Sequence, residues 1–260
     1  MELAVKRWFT ALAIVILILA ALVWFMPASW ALPLLQAQWR GVRMEGVSGT
    51  VWEGRAEQVS IAGGPQLGSL AWTLSHRALL GQIRAHVDLT QPQLHLQGQL
   101  QRTSSTQIDL SDVTLSMDAS MFGPQPMLHG QPQGQLDLQA PQVQLQGYWP
   151  MQLDAAGTWS HAAMRTPAGS VPLGTLRLAV TGQSGVLHAT LSDDGSGAVQ
   201  TAGRLSLSPL GWDLDLRLIP RRDDPAVLPW LESLGKPAAD GTLELRYRGG
   251  LAQWNTNRTS

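Results

Sequence analysis

The residues of this 260-residue chain that could do chemistry are 6 histidines, two aspartate pairs and a scatter of serines. His76, His86, His95, His129, His161 and His188 form no His-x-x-x-His pair and no H-E-x-x-H pattern, the spacings that place metal ligands on one face of a helix. His86 and His95 flank a possible hairpin and could meet across it, but solvated histidines on strand faces are the expectation. Asp193 with Asp194, and Asp223 with Asp224, are paired carboxylates of the kind that do acid–base work in glycosidases. There the two acids come from different elements facing a cleft. Here each pair sits in a turn context, DDGSG and RRDDP, where aspartate bonds nearby amides or caps a helix. No G-x-S-x-G elbow, Walker loop or dinucleotide fingerprint occurs. Gly195-Ser196-Gly197 has the look of a phosphate-loop fragment, but the aspartates before it would repel a phosphate, so a β-turn is expected. Asn257-Arg258-Thr259 fits a glycosylation sequon, a pattern short enough to arise by chance. The chain has no cysteine, which removes disulfides, thiolate catalysis and cysteine-based metal sites together. No catalytic residue, cofactor or metal is expected.

The residues that stand out instead are tryptophans set among glycines. Gly49, Trp52 and Gly54 form a Gly-x-x-Trp-x-Gly cluster. A tryptophan between strand glycines can plug the space where backbones approach closely, or it can be an exposed docking element; the plug is the expectation. The cluster has an echo. Gly49-Thr50-Val51-Trp52 is followed 15 residues after the tryptophan by Leu67-Gly68-Ser69-Leu70, and Gly157-Thr158-Trp159 is followed after 14 by Leu173-Gly174-Thr175-Leu176. Gly98-Gln99-Leu100 and Gly203-Arg204-Leu205 complete the pattern at a similar offset. Two quasi-repeats, about 41–122 and 135–250, joined near the Pro/Gly/Gln-rich stretch 123–134, are the reading this supports.

The elements that must position these residues are strands. In QPQLHLQGQLQ, Leu94, Leu96 and Leu100 alternate with Gln93, His95, Gln97 and Gln99, and period-2 alternation means one apolar and one polar face. The same holds for 135–139, 142–146, 175–181, 185–192, 204–208, 212–219 and 242–248, separated by Gly, Pro, Asp-Gly and Ser-Gly steps. The fold class is therefore mainly β, an antiparallel sheet spanning 41–254. Helix signals are few. Asp224 can cap a short helix from Pro225 to Leu234, Gly235 suits a left-handed position beyond its end, and Pro229 shortens or bends it. His76 to Leu80 could add one turn, and 255–260 reads as a frayed tail.

The N-terminus is different. Residues 8–26, WFTALAIVILILAALVWFM, carry no charge, glycine or proline, and as a helix would extend about 28 Å, close to the roughly 30 Å of a bilayer's hydrocarbon core. Lys6 and Arg7 precede the run, and the next charge is Arg40. By the positive-inside rule 1–7 stay in the cytoplasm and the rest crosses the membrane. Trp8, Trp24 and Trp30 lie near the two ends, where indoles favour the headgroup layer. A cleaved signal peptide is the competing reading, with Ser29-Trp30-Ala31 as a tolerable site, but signal cores run only about 7 to 15 residues. The following 27–40 segment could form a short helix from Pro33, with Leu34, Leu35 and Trp39 on one side.

Composition narrows the partners. The formal net charge is -1 and no basic run with interleaved aromatics occurs, so nucleic acid is not an expected partner. Only 14% of residues are charged, yet 11 tryptophans argue for a folded domain.

At GTVWEG (residues 49–54), LGSLAW (67–72), Gly157-Thr158-Trp159, Pro172-Leu173-Gly174 and Asp240-Gly241, together with the N-terminal apolar run, the chain resembles the type II secretion system protein N family, also called general secretion pathway protein N. The resemblance covers nearly the full length. It implies a Gram-negative inner-membrane protein with a periplasmic domain, a non-enzymatic accessory part of the machine that exports folded proteins through an outer-membrane secretin. Its partners would be the secretin and inner-membrane subunits. A remoter similarity, to AsmA-like envelope proteins, implies that the antiparallel β-sheet is curved, with an apolar groove for lipid.

Overall fold

The computed structural model describes residues 24–30, 42–61, 66–147, 149–221 and 224–250. Among them no helix is long and apolar enough to cross a membrane. Of the apolar run 8–26 only 24–26 are described; the possible helix from Pro33, Asp223 and the tail 255–260 lie outside the described residues. The chain divides into two compact units, Met1–Gln91 and Pro92–Ser260. The described residues of both are mainly antiparallel β.

Unit 1 contains β1 (Val42–Glu45), β2 (Ser48–Gly49), β3 (Glu53–Ile61), β4 (Gln66–Leu74) and β5 (Arg84–Gln91). β3 pairs with β1 on one side and β4 on the other, β2 also pairs with β3, and β5 pairs with β4. Gly68 sits at an irregularity between β3 and β4 with φ +86°, a conformation glycine adopts without strain. Beyond it Leu70, Trp72 and Leu74 share the more buried face, while Ser69, Ala71 and Thr73 are exposed. A 3-10 turn, His76–Leu80, links β4 to β5. Ser75 caps it by accepting from the Arg77 amide at 3.3 Å, and Gly81 ends it at φ +81°. The single turn expected over 76–80 is thus present.

Unit 2 is a meander of β6 (Leu94–Arg102), β7 (Gln107–Asp118), β8 (Gln131–Gln146), β9 (Trp149–Thr166), β10 (Gly169–Gln183), β11 (Val186–Asp193), β12 (Val199–Ser208), β13 (Gly211–Pro220) and β14 (Leu243–Gly249). Each pairs with the next. The register carries an apolar row across all nine, Leu96, Leu115, Leu138, Gly157, Leu178, Leu191, Gly203, Leu216 and Leu245. A slip of one residue in any strand would move its leucines to the polar face, so this alternation fixes the register. The segments 135–139 and 142–146 are one strand. An irregularity at Ala140-Pro141 inserts an extra residue, and the inward set switches from Leu136 and Leu138 to Val143 and Leu145. Proline is tolerated there because a bulge leaves its missing donor without consequence.

Helix α1 (Val227–Leu234) lies in the connection between β13 and β14. It begins two residues later than Pro225: the Asp224 carboxylate accepts from the Ala226 amide at 2.9 Å, and Ala226 is the residue that enters the helix. Gly235 is extended, with φ 171°, so the left-handed ending expected from its type is absent. Its amide closes on the Leu231 carbonyl instead. Val227, Trp230 and Leu231 on this helix are buried against Met164, Val171, Leu176, Val199, Leu218 and Leu243. The stretch 123–134 contributes a second cover: the 3-10 turn Pro126–Leu128 packs Leu128 on this core, and its carbonyl accepts the Trp230 indole N–H at 2.9 Å. Away from the helix, Leu96, Leu115, Leu138 and Leu178 of the row are only half-buried.

Because Leu231 is fully buried in this core, Leu231→Ala should lower the unfolding free energy by about 2–5 kcal/mol. Leu210→Ala, at a leucine that is 90% exposed, should change it by less than about 0.5 kcal/mol. Urea unfolding of the two variants, followed by tryptophan fluorescence, checks both.

Candidate functional site

The tryptophan–glycine cluster folds into one tight turn and its supports. Gly49 and Gly54 face each other across β2 and β3. The Thr50 amide donates to the Glu53 carbonyl at 2.8 Å, and the Glu53 amide donates back to Thr50 Oγ1 at 3.1 Å. A Cβ at Gly54 would lie 2.5 Å from the Trp72 indole, so only glycine lets that ring reach the turn, where its N–H donates to the Val51 carbonyl at 3.2 Å. Trp52 is buried, and its carbonyl accepts from the Leu74 amide at 2.6 Å. A shallow groove of about 750 Å³ runs beside the cluster, lined by Gly49, Gly54, Arg55, Trp72 and Asp88 among others.

The second set is built on the same logic in unit 2. Gly157 stands opposite Leu138 with no room for a side chain. Trp159 faces Leu136 and Leu176 across β8, β9 and β10, and its indole N–H donates to the Gln133 carbonyl at 2.9 Å. Gly174, at φ +79°, sits at an irregularity where Ser196 and Gly197 crowd its α-carbon. Leu67, Gly68, Leu173 and Gly174 therefore lie at two similar bulges, while Trp52 lies in a turn and Trp159 within a strand.

The structure adds a contact that the sequence does not signal. The His76 imidazole stacks on Trp24 with ring centroids 4.1 Å apart and on Trp52 at 4.6 Å. Twenty-eight residues of chain separate the two indoles, and no periodicity links either to His76. The Met26 carbonyl accepts from the Val51 amide at 3.0 Å, and Pro27 bridges Thr50, which fastens the segment carrying Trp24 to the turn carrying Trp52. Trp30 follows in the same segment, with its amide on the Pro27 carbonyl. Lys6, Arg7 and Trp8 lie outside the described residues.

Titratable groups do not converge. Among the described residues no group of three or more histidines, aspartates and glutamates could hold a metal ion. Asp193 pairs with Arg221. Asp194 accepts from the Ser196 hydroxyl at 2.6 Å and amide at 2.9 Å and from the Thr175 amide, and these bonds to its charged form, the hydroxyl first, hold its pKa down to about 2. Asp240, in the turn before β14, is lowered in the same way by the Thr242 amide. Asp194 and Asp240 fasten turns, and Asp193 is engaged by Arg221.

Against known proteins, the family profile described as "Type II secretion system (T2SS), protein N" matches residues 40–246, which takes in every described strand except the last three residues of β14. The chain belongs to this family. It is 32% identical to the Type II secretion system protein N of Aeromonas hydrophila, over 80% of this chain and 84% of that one. It is 30% identical to the protein of the same name from Vibrio cholerae serotype O1, over 65% of this chain and 69% of that one. No solved structure matches it. The family is a component of secretion machinery, which accords with carboxylates engaged in turns and not gathered at a reaction centre.

The Asp194 bonds predict a pH dependence. A folded pKa of about 2 below the ordinary 3.8 means the unfolded chain takes up the proton first as pH falls. The contribution is complete above about 3.8 and is lost progressively as pH drops from there through 2. Asp194→Asn should therefore make stability less steeply dependent on pH in that window, with urea midpoints of variant and parent converging as acid is added.

Proposed function

We propose that this chain is a non-enzymatic component of the type II secretion machinery, held in the inner membrane by residues 8–26 with its β units in the periplasm. The observation that carries the reading is the family match across nearly the whole strand-forming region, 40–246. The uncharged run behind Lys6 and Arg7 supports the topology, since it has the length and flanking charge of a span with its N-terminus in the cytoplasm. In this reading the work of the protein is to place a rigid β surface at the inner membrane's outer face, where it meets the secretin or inner-membrane subunits. Gly49, Trp52, Gly54, Leu67, Gly68, Trp72, Gly157, Trp159 and Gly174 serve as framework for that surface, and the bulges at Gly68 and Gly174 are equivalent points of two quasi-repeats. Sheet edges offer one route to a partner, because an edge strand presents unpaired backbone groups that another strand can take up.

A second reading is a periplasmic lipid-binding or lipid-transfer groove. It is favoured by the leucine row of unit 2, whose members beyond α1 are half-buried although they point to the apolar face. An acyl chain would find there the kind of surface that a packed core would not leave.

Deletion of the gene in a host with no compensating paralogue should trap exoproteins in the periplasm, with release restored by the full chain. The tagged chain should copurify with the secretin or an inner-membrane subunit. Normal exoprotein release from the deletion strain would count heavily against the first reading. Native mass spectrometry of the same preparation decides the second: lipid retained after delipidating washes supports it, and a lipid-free chain removes it.

A further inference from the structure

Among the described residues nine large apolar side chains are exposed, and five of them fall in two short segments of unit 1: Trp24, Phe25 and Trp30, with Leu79 and Leu80. Singly scattered apolar residues are ordinary on a protein surface, but a cluster marks a place that something covers. The two segments are joined through one contact. His76, at the start of the 3-10 turn that carries Leu79 and Leu80, stacks on Trp24. With a rise of about 2.0 Å per residue, the backbones of Leu79 and Leu80 lie roughly 6–8 Å beyond that of His76 along the turn. Leu80 is 82% exposed, at the tip and just before Gly81.

The occupant is indicated by where the patch lies in the chain. Trp24, Phe25 and Met26 are the last residues of the uncharged run 8–26, and Met26 and Pro27 are bonded to the backbone of Val51 and Thr50. A membrane span that ends in a hydrogen bond to the β unit brings that end of the unit to the membrane surface. We propose that this end of unit 1 docks on the bilayer: Leu79 and Leu80 enter the outer leaflet's headgroup–acyl boundary, and Trp24, Phe25 and Trp30 sit at headgroup level. Arg77, exposed on the same turn, meets anionic headgroups. The buried Trp52 and the His76 stack hold the turn at a set depth, so unit 1 is seated on the membrane and does not swing on its tether. The proposal rests on the anchor reading above.

The test uses the full chain in nanodiscs of phosphatidylethanolamine and phosphatidylglycerol. Because the natural chain has no cysteine, Leu80→Cys can carry a single environment-sensitive NBD probe. Gln66→Cys, exposed at the other end of β4 and about 25 Å away along the strand, is the comparison. The Leu80 probe should show blue-shifted emission and be quenched by nitroxide-bearing lipids, and the Gln66 probe should show neither. A chain that stays in the nanodisc through alkaline washing while its Leu80 probe remains in water would overturn the docking and leave the anchor standing. A chain that washes off would overturn the anchor reading and the docking with it. A Leu80 probe shielded only after other secretion subunits are added would overturn the bilayer as occupant in favour of a protein.

Discussion

An antiparallel meander whose strands alternate leucine with glutamine has one face that water does not tolerate, and the rest of unit 2 depends on how that face is covered. Helix α1 covers it over β9, β10 and β12 to β14, with Val227, Trp230 and Leu231 set into a bed that includes Met164, Val171, Leu176 and Leu218. The indole N–H of Trp230, which would cost free energy if buried without a partner, is satisfied by Leu128 and so joins helix to turn. The connection from β13 to β14 therefore does more than return the chain. It supplies the lid without which the longest strands would present a continuous apolar surface.

Unit 1 meets the same constraint with fewer residues. Its answer is aromatic: Trp72 laid over Gly54, Trp52 buried beneath His76, and the end of the N-terminal run stitched to the turn between them. Glycine is required at 54 because any side chain would occupy the volume of the Trp72 ring.

Much of this was legible in the sequence. Period-2 alternation located the strands, and turn residues located their ends, because both signals are local. What stayed hidden was long-range. The unity of β8 was masked because Pro141 interrupts the alternation, and a bulge is recognisable only when the partner strand is present. Asp224 was identified as a cap, but the helix start and the extended Gly235 depend on how α1 lies against β14. His76 looked like one solvated histidine among six, since nothing in its neighbourhood announces indoles 52 and 24 residues before it. The turn role of Asp194 was readable from DDGSG, whereas Asp193 ends β11 and its pairing with Arg221 required three strands to be in place.

A chain whose carboxylates fasten turns and whose aromatics pack glycines is suited to holding a surface in position, and we propose that residues 8–26 set that position. The most direct measurement is exoprotein release from a strain whose only copy carries a cleavable secretory signal in place of residues 1–26, so that a folded but untethered chain reaches the periplasm. Exoproteins should accumulate in the periplasm although the chain is present at normal levels and resists protease. Full release with the untethered chain would contradict the central claim that this protein acts from the inner membrane.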